Sequence, residues 1–217
     1  MLAVAAASLA LVPPVQAGEL VRLRTNEKVV ALTFDGGSDA VGAPAILRTL
    51  RRERAAGTFF LTGRWVRTYP QLARTIAARG YPIANHTWDH LALPGMPARR
   101  IREEIVRAAR AIRAVTHEEP RPLFRFPYGA RDARTLRIVR ALGYVSVRWT
   151  VDTLGWLRVS ERAVVDRVVR NLQPGEIVLM HLGRSTDSAA LGAVVRAIRA
   201  HGYRLVTLAS VRYPLRA

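Results

Sequence analysis

The run Val29-Val30-Ala31-Leu32-Thr33-Phe34, closed by Asp35-Gly36-Gly37, decides how the rest of the chain is read. Apolar and β-branched residues ended by an acid and two glycines read as a strand that stops where the backbone can turn. Outward from it, short apolar runs alternate with amphipathic stretches. Strands are expected over 29–34, 57–61, 81–85, 144–151, 176–180 and 203–208. Helices are expected over 43–54, 69–79, 97–115, 132–142, 160–172 and 189–200, three of them ended by Gly80, Gly143 and Gly202. A proline-rich loop fills 119–128. Repeated strand-then-helix units imply an α/β fold with a parallel sheet covered by helices, and six or seven units imply barrel-like closure. Ligands in such folds collect at the carboxyl ends of the strands, so polar residues able to do chemistry should follow the apolar runs. They do.

The chain has 217 residues, half of them hydrophobic and 23% charged, which places it among globular single domains rather than disordered chains. No repeat of solenoid or propeller period and no low-complexity tract divides it. The net charge is +18, carried almost wholly by arginine, since Lys28 is the only lysine. A field of that sign can attract a polyanion, such as nucleic acid or an acidic cell envelope. The arginines recur along the whole chain, however, as solvated helix faces do, so no nucleic-acid partner is expected from charge alone.

Residues 1–17 stand apart as a short apolar run, then Pro13-Pro14 and the small-x-small ending Val15-Gln16-Ala17. The segment is too short to span a bilayer and reads as a secretory signal or an N-terminal anchor, with the working domain over 18–217. No Lys or Arg precedes the apolar run. A secreted or envelope-associated protein is expected. With no cysteine in the chain, neither disulfides nor a lipidated cysteine follow.

Five sets of residues sit just past the apolar runs. Asp35 has an exposed strand-end position with two glycines behind it, although an isolated Asp-Gly-Gly also reads as a plain turn. His86 and His90, in Asn85-His86-Thr87-Trp88-Asp89-His90, are four apart; on a helical turn they share a face and can bind one metal ion. Arg125-Phe126-Pro127-Tyr128-Gly129 combines a fork of donors suited to a carboxylate with a fixed backbone path at Tyr128. Asp152 and Trp156 follow the run ending in Val151. His181 follows Ile177-Val178-Leu179-Met180, where an imidazole can serve as a proton donor near neutrality. Each set alone has an ordinary structural reading. Together they converge on one rim.

In order and spacing, the series Thr33 to Gly37, His86 to His90, Arg125 to Gly129, Asp152 to Trp156 and Leu179 to His181 resembles the polysaccharide deacetylases. These form carbohydrate esterase family four, defined by the nodulation-protein-B homology domain, and the likeness runs from about Glu27 to the C-terminus. The resemblance implies a distorted (β/α) barrel of about seven parallel strands. It implies a hydrolase removing N-acetyl groups from an amino-sugar polysaccharide such as peptidoglycan or a chitin-like glycan; acetylated xylan is also used in the family. It further implies a divalent metal, zinc being the simplest choice. Asp35 matches the catalytic base, Arg125 the arginine that holds it, and His86 and His90 the metal-binding histidines. Tyr128 matches the residue whose N–H binds the oxyanion. Trp156 matches an aromatic wall of the acetyl pocket, beside Asp152 and Leu179 in the matched motifs, and His181 the general acid.

Two positions depart from the family pattern. The third metal ligand normally follows the base directly, and here that position is Gly36. Asp39 is the expected replacement, reaching back through Gly36-Gly37. The acid that orients the histidine normally precedes the tryptophan, and here that position is Gly155, leaving the task to Asp152 or another group. Both departures also fit a glycan-binding protein with a weakened metal site.

Overall fold

The structure, a computed structural model, describes residues 19–183 and 185–210. The segment read as a signal or anchor lies outside the described residues. The strands are Glu19–Leu20 (β1), Val29–Gly36 (β2), Thr58–Leu61 (β3), Ile83–Asn85 (β4), Leu123–Phe124 (β5), Val145–Val147 (β6), Val151–Asp152 (β7), Glu176–His181 (β8) and Arg204–Val206 (β9). The helices are Ala43–Arg52 (α1), Gly63–Thr68 (α2), Pro70–Ala78 (α3), Ala98–Thr116 (α4), Ala133–Ala141 (α5), Glu161–Arg170 (α6) and Asp187–Ala200 (α7).

The strands join in one sheet in the order β1-β6-β5-β4-β3-β2-β8-β7, with β9 also on β2. All of their pairings are parallel. Seven of them, β6 round to β7, make the wall of the expected distorted barrel. The chain passes from β6 to β7, near the two ends of the strand order, through residues 148–150. The expected strand over 144–151 is two, because its first part pairs with β1 and β5 and its last part with β8 at the far end of the strand order.

Every residue of β2 is buried, as a central strand covered on both faces must be. Alternation sorts them. Val30, Leu32 and Phe34 point to the helix layer, where Phe34 stacks on Phe59 at 5.1 Å among Leu47, Leu50, Val194 and Ile198. Val29 and Ala31 point inward to Phe60, Ala84, Val147 and Ile177. The inward row ends at Thr33 and Asp35. A third cluster, including Ile101, Ile105, Phe124, Phe126 and Tyr144, seats α4 and α5.

Local sequence explains the element ends. Asp132 and Thr135 form a reciprocal capping box on α5, Ser160 caps α6, and α4 stops at His117 in the left-handed region. The six-residue α2 was not expected; its start is fixed by the Thr62 hydroxyl accepting the Trp65 N–H. Among the described residues no helix is long and apolar enough to cross a membrane.

Candidate active site

Asp35 and His181 are direct register partners across β2 and β8, so the two strands set a carboxylate and an imidazole side by side. Leu179 pairs with Thr33 one inward step below and is buried beneath them. The Asp35 carboxylate is buried, and its Oδ1 accepts from Arg125 Nη1 at 2.7 Å. Burial pushes its pKa up, but the Arg125 guanidinium, together with His86 and His181, overcomes that and holds it below 3.8. Arg125 is itself wholly buried. It also donates to the Thr33 hydroxyl at 2.9 Å and to the Val147 and Arg148 carbonyls at 3.3 and 3.2 Å, with its carbon 4.0 Å from the Phe60 ring centroid.

His86 Nδ1 lies 2.8 Å from the Arg125 carbonyl oxygen. A carbonyl only accepts, so Nδ1 carries the proton and Nε2 presents its lone pair. That Nε2 is 3.1 Å from His90 Nε2 and 3.5 Å from Asp35 Oδ2. Burial lowers both imidazole pKa values, that of His90 to about 4, so both are neutral near pH 7. Two nitrogens each about 2.1 Å from one tetrahedral zinc ion stand about 3.4 Å apart. The pair thus has the spacing and protonation state of two ligands for one cation.

The loop between them is not the helical turn expected from their spacing. Thr87 and His90 both adopt positive φ, at 69° and 61°. For β-branched Thr87 this is a strained conformation, and buried partners enforce it. Its N–H donates to Asn85 Oδ1 at 2.9 Å, and its hydroxyl accepts the His90 N–H at 3.2 Å. Buried Glu104 on α4 accepts the N–H groups of Trp88 and Asp89 at 3.1 and 2.9 Å. A Cβ at Gly37 would lie 2.7 Å from His90 Cδ2, so the second glycine makes room for that ring.

Tyr128 also has positive φ, 59°. Its ring stands edge-on to His90 at 4.6 Å and is 73% exposed, placing its backbone on the same rim. Trp156 and Leu157 are half exposed. Asp152 turns its carboxylate to the Leu154 N–H at 2.9 Å.

Asp39 does not join the histidines. Its Oδ1 accepts the Val41 N–H at 2.9 Å, and among the described residues no group of three His, Asp or Glu side chains is gathered to hold a metal. Gly36 has no side chain to offer, and a Cβ there would meet Leu61 at 2.8 Å and Leu182 at 3.1 Å. Asp39→Ala is therefore expected to leave zinc affinity unchanged in a calorimetric titration; a tenfold loss would restore Asp39 to the ligand set.

The sequence reading missed Asp187, the first residue of α7 and wholly buried. Its Oδ2 accepts the His181 N–H at 2.8 Å and lies 3.6 Å from His181 Nδ1, while its Oδ1 accepts from the Thr153 hydroxyl at 2.7 Å. In sequence it is indistinguishable from an ordinary acid in a first helical turn.

The family profile described as polysaccharide deacetylase matches residues 22–147. A chitooligosaccharide deacetylase of Azorhizobium caulinodans is 32% identical over 196 residues, covering 90% of each chain. A peptidoglycan-N-acetylglucosamine deacetylase of Bacillus cereus is 32% identical over 191 residues, covering 86% of this chain and 89% of that one. Among solved structures, a CE4 family pseudoenzyme from Bacillus anthracis superposes with a TM-score of 0.85 at 28% identity, covering 91% of this chain and 69% of that one.

Proposed function

The chain belongs to the polysaccharide deacetylase family, and from that premise we propose that it removes N-acetyl groups from an amino-sugar glycan with the help of a divalent metal, most simply zinc. The observation that carries this reading is the neutral His86–His90 pair, 3.1 Å apart, beside an ionised Asp35 that faces His181. Peptidoglycan and chitin oligomers are the favoured substrates, because relatives are named for both. The signal-like residues 1–17 support action outside the cell or at its envelope, where a strongly basic protein meets anionic polymers.

His86 and His90 would hold the cation through Nε2, leaving its other positions to water and substrate. A cation there supplies Lewis-acid polarisation of the acetyl carbonyl and makes water acidic enough to deprotonate near pH 7. That supply matters because Arg125 keeps Asp35 a weak base, ionised at all working pH values. Asp35 Oδ2 takes the proton of the attacking water, whose oxygen bonds to the carbonyl carbon. The Tyr128 N–H donates to the carbonyl oxygen as it gains charge, an interaction worth about 3 kcal/mol in comparable sites. His181 then protonates the nitrogen as its bond to carbon breaks, giving acetate and a free amine. Asp152, Trp156 and Leu179 would line the acetyl and sugar side of the cleft.

The test is acetate release from purified peptidoglycan, chitin oligomers and acetyl-xylan, each with and without a chelator. Release from an amino-sugar glycan, lost with the chelator and restored by zinc, is expected. Chelator-insensitive release would remove the metal from the mechanism. Glycan binding without acetate would instead favour a silent glycan-binding protein, the reading to which Gly36 and the pseudoenzyme neighbour point.

A further inference from the structure

The general-acid reading of His181 leaves one requirement open. An imidazole that donates from Nε2 needs something at Nδ1 to fix its ring and stabilise its charged form. His181 Nδ1 is buried and makes no hydrogen bond in this structure; the nearest carboxylate oxygen recorded beside it is Asp187 Oδ2 at 3.6 Å. Asp187 is held there from three sides. The Thr153 hydroxyl donates to Oδ1, and the His181 backbone N–H and the Ser185 hydroxyl reach Oδ2, the latter at 3.3 Å.

Gly155 explains why this carboxylate fits. A Cβ built on Gly155 collides with the carboxylate of Asp187. Gly155 is not among the positive-φ glycines, so its backbone conformation does not call for glycine, and the three nearest atoms that a Cβ would meet all belong to Asp187. The two residues compete for one volume beside His181. Asp152, the other candidate, caps the Leu154 N–H and makes no bond to the imidazole.

Building on the deacetylase reading, we propose that Asp187 is the positioning residue for His181, its carboxylate delivered from the start of α7 into the space that a side chain at position 155 would otherwise fill. Gly155 and Asp187 are thus one coupled unit. The histidine is oriented from a helix rather than from the loop after β7.

His181 faces Asp35 across β2 and β8, Asp152 from β7 and Asp187 from α7, with the His86 and His90 imidazoles beyond Asp35. Burial pushes its pKa down, but Asp187 and the other two carboxylates overcome this and raise it above 6.5. A neutral amide at 187 removes one of those carboxylates, so His181 must lose its proton at lower pH.

The experiment uses the full chain as wild type, Asp187→Asn, Asp187→Ala, Gly155→Asp and the double variant Gly155→Asp/Asp187→Ala. Acetate release from a chitin oligomer is followed across pH, and the His181 ring is titrated by NMR. Asp187→Asn is expected to lower kcat about 100-fold with KM unchanged, as loss of an orienting partner does. It should also move the alkaline limb of the pH profile and the His181 titration to lower pH. Gly155→Asp alone should be impaired by the clash, and the double variant should recover at least about tenfold over Asp187→Ala by restoring the carboxylate from the opposite side.

A wild-type rate and an unmoved His181 titration in Asp187→Asn would overturn the proposal and leave Asp187 a structural cap. Failure of the double variant to improve on Asp187→Ala would overturn the shared-volume argument. If Asp187→Ala does not fold, the isosteric Asp187→Asn decides by itself. If even the wild type releases no acetate, the deacetylase reading falls, while the NMR titration still decides whether Asp187 governs His181.

Discussion

Arg125→Met is expected to destabilise the fold by about 3–5 kcal/mol and to abolish acetate release, because it strands a buried carboxylate. The Asp35–Arg125 pair lies where water cannot replace a missing partner: Arg125 is wholly buried and the Asp35 side chain is 8% exposed. Removing the guanidinium leaves Asp35 two poor options, ionised without a partner or protonated and useless as a base. Arg125 has a second task. Between β6 and β7 the strand ladder is interrupted, and the guanidinium donates to the Val147 and Arg148 carbonyls at that break. Methionine matches the volume but supplies no donors, so those acceptors are stranded as well. Lysine should rescue only in part, since a point-like ammonium cannot serve Asp35, Thr33 and two carbonyls at once. Urea unfolding of the three proteins, with acetate release alongside, measures both effects. A loss under about 1 kcal/mol would mean that the pair is hydrated and the burial argument wrong.

Most of the barrel was legible in the sequence because its strands are apolar runs closed by glycine or acid and its helices carry caps and stops. The β2 run, with Asp35 at its end, needed nothing else. The two-residue strands β1 and β5, the latter inside the expected loop 119–128, are too short to register as patterns, and two further features escaped for physical reasons. The stretch 144–151 is continuous in composition, yet it breaks at 148–150, where a guanidinium from residue 125 meets the Val147 and Arg148 carbonyls, a contact no local pattern announces. The helix α2 is six residues long, too short for a period to register.

The site divides the same way. Residues that a strand places on the rim or just beneath it, Asp35, His181 and Leu179, could be located from strand ends alone. Where tertiary competition decides, local reading fell short. Helical spacing brings His86 and His90 together, as the structure does, but on the wrong backbone, since positive φ at Thr87 and His90 is enforced by Asn85 and Glu104. Proximity in sequence favoured Asp39 as a ligand, yet its carboxylate closes a turn on Val41. Asp187 and Gly155 are 32 positions apart, and only packing brings them into one volume.

Asp35→Asn separates chemistry from electrostatics. In the proposed mechanism Asp35 is the base, a role worth about 10²–10⁴ in turnover, so the amide is expected to lose at least about 100-fold in kcat. The same change leaves Arg125 buried without its counter-charge, and stability at pH 7 should fall by roughly 3 kcal/mol. The sign of the pH dependence follows from the direction of the shift. Arg125 holds the Asp35 pKa in the folded protein below its ordinary 3.8. On acidification the unfolded chain therefore takes up that proton first, and the stabilisation, fully present at higher pH, drains away as the pH drops below that value. The asparagine variant has no such proton to take up. The share of the stability gap between wild type and Asp35→Asn that the Asp35 proton carries should thus stay constant from neutral pH to about pH 5 and shrink below about pH 4, separate from the change at higher pH that follows from losing a carboxylate that raises the His181 pKa. Denaturant unfolding at a series of pH values reads this directly. A gap that widened on acidification would mean that the Asp35 pKa is raised rather than lowered, that burial outweighs Arg125, and that the carboxyl is protonated when the reaction calls for a base.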